Sequence, residues 1–126
     1  DLHRLIRRQR QMCIRDSTKR VLKEIIVQIL KDFPIVVLSG ARQVGKSTFL
    51  QEEFSEFKYL SMDDFSVLEQ AKADAISLWK DVDKIIVDEA QKVPEIFSAV
   101  KLTVDRTRRK KKFILWDSSD LLLMKN

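Results

Sequence analysis

Gly40 and Gly45 are the only glycines in this 126-residue chain, and both lie in Gly40-Ala41-Arg42-Gln43-Val44-Gly45-Lys46-Ser47. The run ahead of them, Pro34-Ile35-Val36-Val37-Leu38-Ser39, is short, apolar and β-branched, and reads as a buried parallel strand. The run behind them, Ser47 to Phe54, holds no helix breaker. A chain that leaves a strand through such a loop and enters a helix turns successive backbone N–H groups into one concavity, a cradle for anions. Gly40 and Gly45 permit torsions and a close approach that a Cβ would block. The opening helix adds its free N–H groups and the positive end of its dipole. An ordinary strand-to-helix turn is the bland alternative, and the placement of both glycines here argues against it.

The spacing is that of the phosphate-binding P-loop, G-x-x-x-x-G-K-[ST]. We expect Gly40, Ala41, Arg42, Gln43, Val44 and Gly45 to hold the phosphates of a nucleotide. Lys46 would reach the β- and γ-phosphates as a point charge, and Ser47 would offer its hydroxyl to Mg²⁺. Thr48, the next residue, lies too far round the helix for the metal. A second motif follows in Lys84-Ile85-Ile86-Val87-Asp88-Glu89, an apolar strand that ends in two acids. Taken alone it is equally a strand with solvated acids at its end. About forty residues behind a P-loop, with room for one strand between, it reads as a Walker B motif. Asp88 would hold Mg²⁺ beside Ser47. Glu89 would act as catalytic base on the water that attacks the γ-phosphate.

The charge pattern tempers a nucleic-acid reading. The formal net charge is +5, but residues 1–16 carry five arginines against two aspartates, which leaves only +2 for the rest. This first segment reads either as a basic arm for nucleic acid or a membrane surface, or as something foreign to the fold. No apolar stretch follows its arginines, so it is not a secretory signal. Its "QMCIRD" resembles a string that recurs at the ends of translated metagenomic fragments, where adapter sequence is read as coding. We expect residues 1–16 to be non-native and residues 17–126 to form one partial nucleotide-binding domain. Cys13 and His3, the only residues of their kinds, fall in that segment. From residue 17 onward a zinc site, a Cys/His catalytic pair and a disulfide framework are therefore excluded. A reducing, cytoplasmic setting is expected, with no membrane contact, since no run is long enough to span a bilayer.

The remaining segments read mostly as scaffold. Ser17 or Thr18 is expected to cap a helix whose apolar stripe is Val21, Leu22, Ile25, Ile26, Ile29, Leu30 and Phe33, ended by Pro34. Phe57 to Met62 reads as a strand. Asp63-Asp64 after it is either a metal site or, as we expect, a strand end with Asp64 or Ser66 capping a helix over Val67 to Ala73. Asp74 to Trp79 reads as a short helical turn, with Trp79 in the core and not a base-stacking platform. Ala90 to Pro94 reads as a loop, Glu95 to Asp105 as a helix with Ile96, Phe97, Val100 and Val104 inward. Arg106 to Lys112 offers a nucleic-acid contact or, as we expect, a solvated loop. Phe113 to Trp116 reads as the next strand, with Asp117-Ser118-Ser119 at the edge where ligands sit in open α/β sheets. Leu121 to Met124 looks like the start of a helix.

Four strings, "LSGARQVGKSTFL", "YLSMDD", "KIIVDEAQKVPEIFSAVKLTVD" and "FILWDSSDLLLMKN", together resemble the AAA-type ATPase domain of a large group of prokaryotic ATP-binding proteins. Members of that group typically carry a C-terminal domain of unknown function. The resemblance runs from about Lys19 to Asn126. It implies an α/β fold, a P-loop NTPase three-layer sandwich with a mainly parallel sheet and an extra strand between the P-loop and Walker B strands. It implies ATP with Mg²⁺, nucleotide contacts from Gly40, Gly45, Lys46, Ser47 and Thr48, metal binding by Asp88 and catalysis by Glu89. The polar sensor after the fourth strand maps to Ser118 or Ser119. Where the family commonly reads Thr-Gly-Ser-Ser, this chain has Trp116-Asp117-Ser118-Ser119, a departure expected to alter the sensor and to bring an acid toward the γ-phosphate. The chain stops before the family's last core strand, lid and second sensor, so we expect a fragment of a longer reading frame.

Mg²⁺-dependent ATP hydrolysis is the leading expectation. Three alternatives compete with it: a nucleotide-binding switch with little hydrolysis, a P-loop kinase for a small molecule, and a DNA-associated module resting on the two basic segments. The expected partner is a nucleotide, with a homo-oligomer a further expectation for a full-length protein.

Overall fold

The computed structural model describes residues 16–39, 45–108 and 110–118. The first helix, α1 (Asp16–Asp32), contains Ser17 and Thr18 within it rather than ahead of it. Its stripe buries Leu22, Ile25, Ile26 and Leu30. Val21 and Phe33 were expected on that stripe but are 39% and 56% exposed. Val21 stands about 100° round the helix from Leu22, and Phe33 follows the last helical residue, where the chain turns at Pro34.

Strand β1 (Ile35–Ser39) then leads toward the glycine loop, and helix α2 (Lys46–Glu53) leaves it. β2 (Lys58–Ser61), α3 (Phe65–Asp74), a 3₁₀ turn at Ala75–Leu78 and β3 (Lys84–Asp88) follow. A second 3₁₀ turn, Ala90–Lys92, stands where a plain loop was expected. Helix α4 (Glu95–Arg106) and strand β4 (Lys112–Asp117) come last.

All four strands are parallel and their order is β1-β4-β3-β2. β4 therefore lies between β1, which leads to the glycine loop, and β3, which ends in Asp88, the place of the extra strand that the resemblance implied. Strand alternation divides the core between the two faces. Val36, Leu38, Ile86, Ile114 and Trp116 pack under α1 and α2 with Phe49, Leu50 and Phe54. Ile85, Val87, Phe113 and Leu115 pack on the other face against the 3₁₀ turn and α4, including Trp79, Ile96 and Val100. Helix, sheet, helix makes the three layers. β3 and β4 are central and almost wholly buried, whereas Val37 on β1 is half-exposed.

Several expectations about scaffold are met. Asp64 caps α3, its Oδ1 accepting from the Ser66 N–H at 3.0 Å and the Ser66 hydroxyl at 2.9 Å; these bonds hold its carboxyl below the usual range. Asp63 pairs with Lys92 instead, and among the described residues no cluster of three metal-ligating side chains forms. Trp79 is fully buried, its indole N–H donating to Thr103 Oγ1 at 2.9 Å. The basic run is only partly a solvated loop: Lys111 is buried, with its ammonium donating to the carbonyls of Trp79, at 3.3 Å, and Val82. No helix among the described residues is long and apolar enough to cross a membrane.

Candidate functional site

Parallel strands bring their carboxyl ends to one edge of the sheet, and the two motifs meet there. Register pairs Ser61 with Asp88, Asp88 with Trp116 and Ser39 with Asp117. Gly45 opens α2 at φ 89°, in the left-handed region where a side chain is strained whatever the space around it. Lys46 begins the helix and points across the sheet edge. Its ammonium lies 2.7 Å from Asp88 Oδ1 and 2.8 Å from Glu89 Oε2, with all three side chains at most 3% exposed. The same ammonium lies 5.4 Å from the centre of the Trp116 ring, within reach of a cation–π contact.

Asp88 is held from several sides. Its Oδ2 accepts from the Ser47 hydroxyl at 3.2 Å and from the Tyr59 hydroxyl at 2.5 Å. Its Oδ1 is buried against the Lys46 ammonium and, among the described residues, accepts no hydrogen bond from any other group. A carboxylate oxygen in that condition, next to a serine hydroxyl, suits a hard cation that prefers oxygen ligands and keeps several waters. Asp88 and Ser47 thus fit Mg²⁺.

Glu89 follows with φ 59° and ψ 43°, a left-handed backbone rarely seen outside glycine. Its Oε1 accepts from the Ser118 hydroxyl at 2.6 Å and from the Gln91 side-chain amide at 2.8 Å. Gln91 also accepts from the Ser118 N–H at 3.3 Å, which closes a triangle between β3, the turn after it and the end of β4. Burial alone would raise the Glu89 carboxyl, but the hydrogen bonds from Lys46, Ser118 and Gln91 and the Lys46 charge outweigh it and bring it down to about 2.

A family model described as an AAA domain matches residues 32–126. The chain belongs to the AAA domain family. AAA domains are P-loop ATPase modules that generally bind ATP with Mg²⁺. Neither curated proteins nor solved structures give a match.

Within this AAA domain the fold brings Lys46, Ser47, Asp88, Glu89 and Ser118 together at the sheet edge. Thr48 is exposed on α2 and has no contact with that cluster among those described. Gly40, Ala41, Arg42, Gln43 and Val44, with Ser119 and the expected helix over 121–124, lie outside the described residues. So does the basic segment 1–15. Asp117, the acid that departs from the family pattern, is buried at the end of β4. Sequence reasoning missed Tyr59 and Gln91. Gln91 carried a local signal, an amide two residues beyond the candidate base. Tyr59 carried none, because its reach to Asp88 depends on β2 pairing with β3.

Proposed function

We propose that this AAA domain binds Mg²⁺-ATP at the sheet edge and hydrolyses it, with Lys46 on the β- and γ-phosphates and Glu89 as the base. The reading rests above all on the buried cluster in which Lys46 bridges Asp88 and Glu89 at 2.7 and 2.8 Å. Ser47 and Asp88 would hold Mg²⁺, which on binding supplies positive charge against the phosphate oxygens. In the chemical step a water oxygen bonds to the γ-phosphorus, the bond from γ-phosphorus to the bridging β–γ oxygen breaks, and the water's proton passes to Glu89. The strings quoted above support a place among the prokaryotic ATP-binding proteins that carry a further C-terminal domain.

The electrostatics link capture to catalysis. A carboxyl held at about 2 is a poor base. Phosphates compete with Glu89 for the Lys46 ammonium. As Lys46 turns to them, Glu89 loses its strongest acidifying contact while its burial persists, so its proton affinity rises. Ser118 and Gln91 keep the carboxylate aimed meanwhile.

Two variants test this. Asp88→Ala should impair metal-dependent ATP binding and turnover together. Glu89→Gln should keep ATP bound and lower single-turnover hydrolysis roughly 10²–10⁴-fold. Hydrolysis by Glu89→Gln at the unmodified rate would remove Glu89 as the base. A second reading, a nucleotide switch with little hydrolysis, draws on the low basicity of Glu89; ATP bound without turnover in the unmodified chain would put it first.

A further inference from the structure

We propose that Tyr59 is a positioning residue for the metal-binding carboxylate, a role that rests on the nucleotide reading of the site. Tyr59 sits on β2, the edge strand beyond β3, and contributes nothing to the P-loop or Walker B patterns. Its register partner is Ile86, two residues before Asp88, so Tyr59 and Asp88 face the same side of the sheet. The phenol spans that offset and donates to Asp88 Oδ2 at 2.5 Å. That is the short end of the range for an O–H donor on a charged carboxylate.

The arrangement leaves little freedom to Asp88. The Met62 N–H donates to its backbone carbonyl at 3.0 Å. Ser47 and Tyr59 both donate to Oδ2, while Oδ1 faces the Lys46 ammonium at 2.7 Å. If Ser47 turns its oxygen to the metal, Tyr59 is the donor that still fixes the carboxylate plane. Burial first, then the hydrogen bond to Asp88, pushes the phenol up to about 12. Toward a carboxylate oxygen at that distance the phenol acts as a hydrogen-bond donor. Donors behind a metal ligand commonly govern metal affinity by 10–100-fold.

A stabilising hydrogen bond with no bearing on metal is the rival explanation, and Tyr59→Phe separates the two. The variant keeps the ring and removes only the donor. The unmodified chain and Tyr59→Phe are each titrated with ADP in EDTA, and then with Mn²⁺ while ADP-loaded, free Mn²⁺ being counted by electron paramagnetic resonance. We expect Mn²⁺ affinity to fall about 10–100-fold, and metal-free ADP affinity to stay within about twofold. Equal Mn²⁺ affinity in the two proteins overturns the proposal, whatever happens to their thermal stability. So does a parallel loss of metal-free ADP affinity, which would assign Tyr59 to the pocket as a whole. If the unmodified chain binds no ADP under either condition, the nucleotide reading itself falls and this inference falls with it.

Discussion

Two opposite ends of the sheet each bury one lysine and one tryptophan, and the pairs behave differently. At the amino end of β4, the Lys111 ammonium sits on the backbone carbonyls of Trp79 and Val82, with Asp83 at 3.5 Å. Trp79 beside it has its indole N–H on Thr103 and packs edge-on against Phe113 at 5.1 Å. At the carboxyl end, Lys46 sits between two carboxylates, and Trp116 beneath it has a buried indole N–H with no hydrogen-bond partner among the described residues. Carbonyls are fixed acceptors that a backbone cannot withdraw. Carboxylates on Lys46 can be exchanged for phosphate oxygens. On the function proposed above, a buried lysine held by the first is scaffold, and one held by the second can turn to a ligand.

The widest separation between the two ends should come from removing each lysine. Lys46→Ala leaves two buried carboxylates facing each other, which typically costs about 3–5 kcal/mol of stability. It should also weaken Mg²⁺-ATP binding at least tenfold, about 1.4 kcal/mol. Lys111→Ala strips the donor from two carbonyls and should cost about 1–3 kcal/mol, with nucleotide affinity unchanged. Urea unfolding and calorimetric titration of both variants provide the check. A Lys111→Ala protein that loses ATP affinity as severely as Lys46→Ala would erase the distinction.

Acid should act on the carboxyl end first. Glu89 is lowered from 4.5 to about 2, so its contribution to stability is fully present above about 4.5 and is lost as pH falls toward 2. Lys46→Ala removes the strongest acidifying contact and should flatten that part of the stability–pH curve. Lys111→Ala should leave it in place. Chemical unfolding measured from pH 6 down to about pH 2.5 tests both, and a curve equally steep in Lys46→Ala would show that other groups set it.

The comparison also explains what could be read from the chain alone. Lys46, Ser47, Asp88 and Glu89 were legible because local patterns carry them: a glycine loop before a helix, and a strand ending in acids. The strand between the two motifs came from resemblance, and β4 takes that place. Trp79 was legible as core from its size and surroundings. Tyr59 was not, since only the pairing of Leu60 with Val87 brings the phenol near Asp88. Lys111 was hidden for a related reason. Within a run of like charges nothing local distinguishes the one that folds back over Trp79 and Val82. The exposure of Val21 and Phe33 shows a limit of periodicity, which fixes a helix face but not how far its neighbour covers it.

A smaller effect is expected at the amino-end tryptophan. Thr103→Val keeps the volume of the side chain near Trp79 but leaves the indole N–H without an acceptor, at a cost of about 1–3 kcal/mol. Nucleotide affinity should not move. An equally stable variant would mean that the Trp79 hydrogen bond is replaced by water or that the packing against Phe113 carries the site.

The smallest effect in energy gives the most direct view of Lys46. Its ammonium lies 5.4 Å from the Trp116 ring centre, while Trp79 lies in the core of the opposite face. If phosphates draw Lys46 away from Asp88 and Glu89, the charge over the Trp116 ring moves and its emission changes; Trp79 senses nothing. Titrating Trp79→Phe with ADP and Mg²⁺ should therefore keep the fluorescence change, and Trp116→Phe should lose it. Trp116→Phe retains an aromatic face for the ammonium, so calorimetry should show ADP affinity altered by less than about 1 kcal/mol. A fluorescence change that survives in Trp116→Phe would place the moving charge near Trp79, and the contrast between an exchangeable and a fixed lysine would have to be reversed.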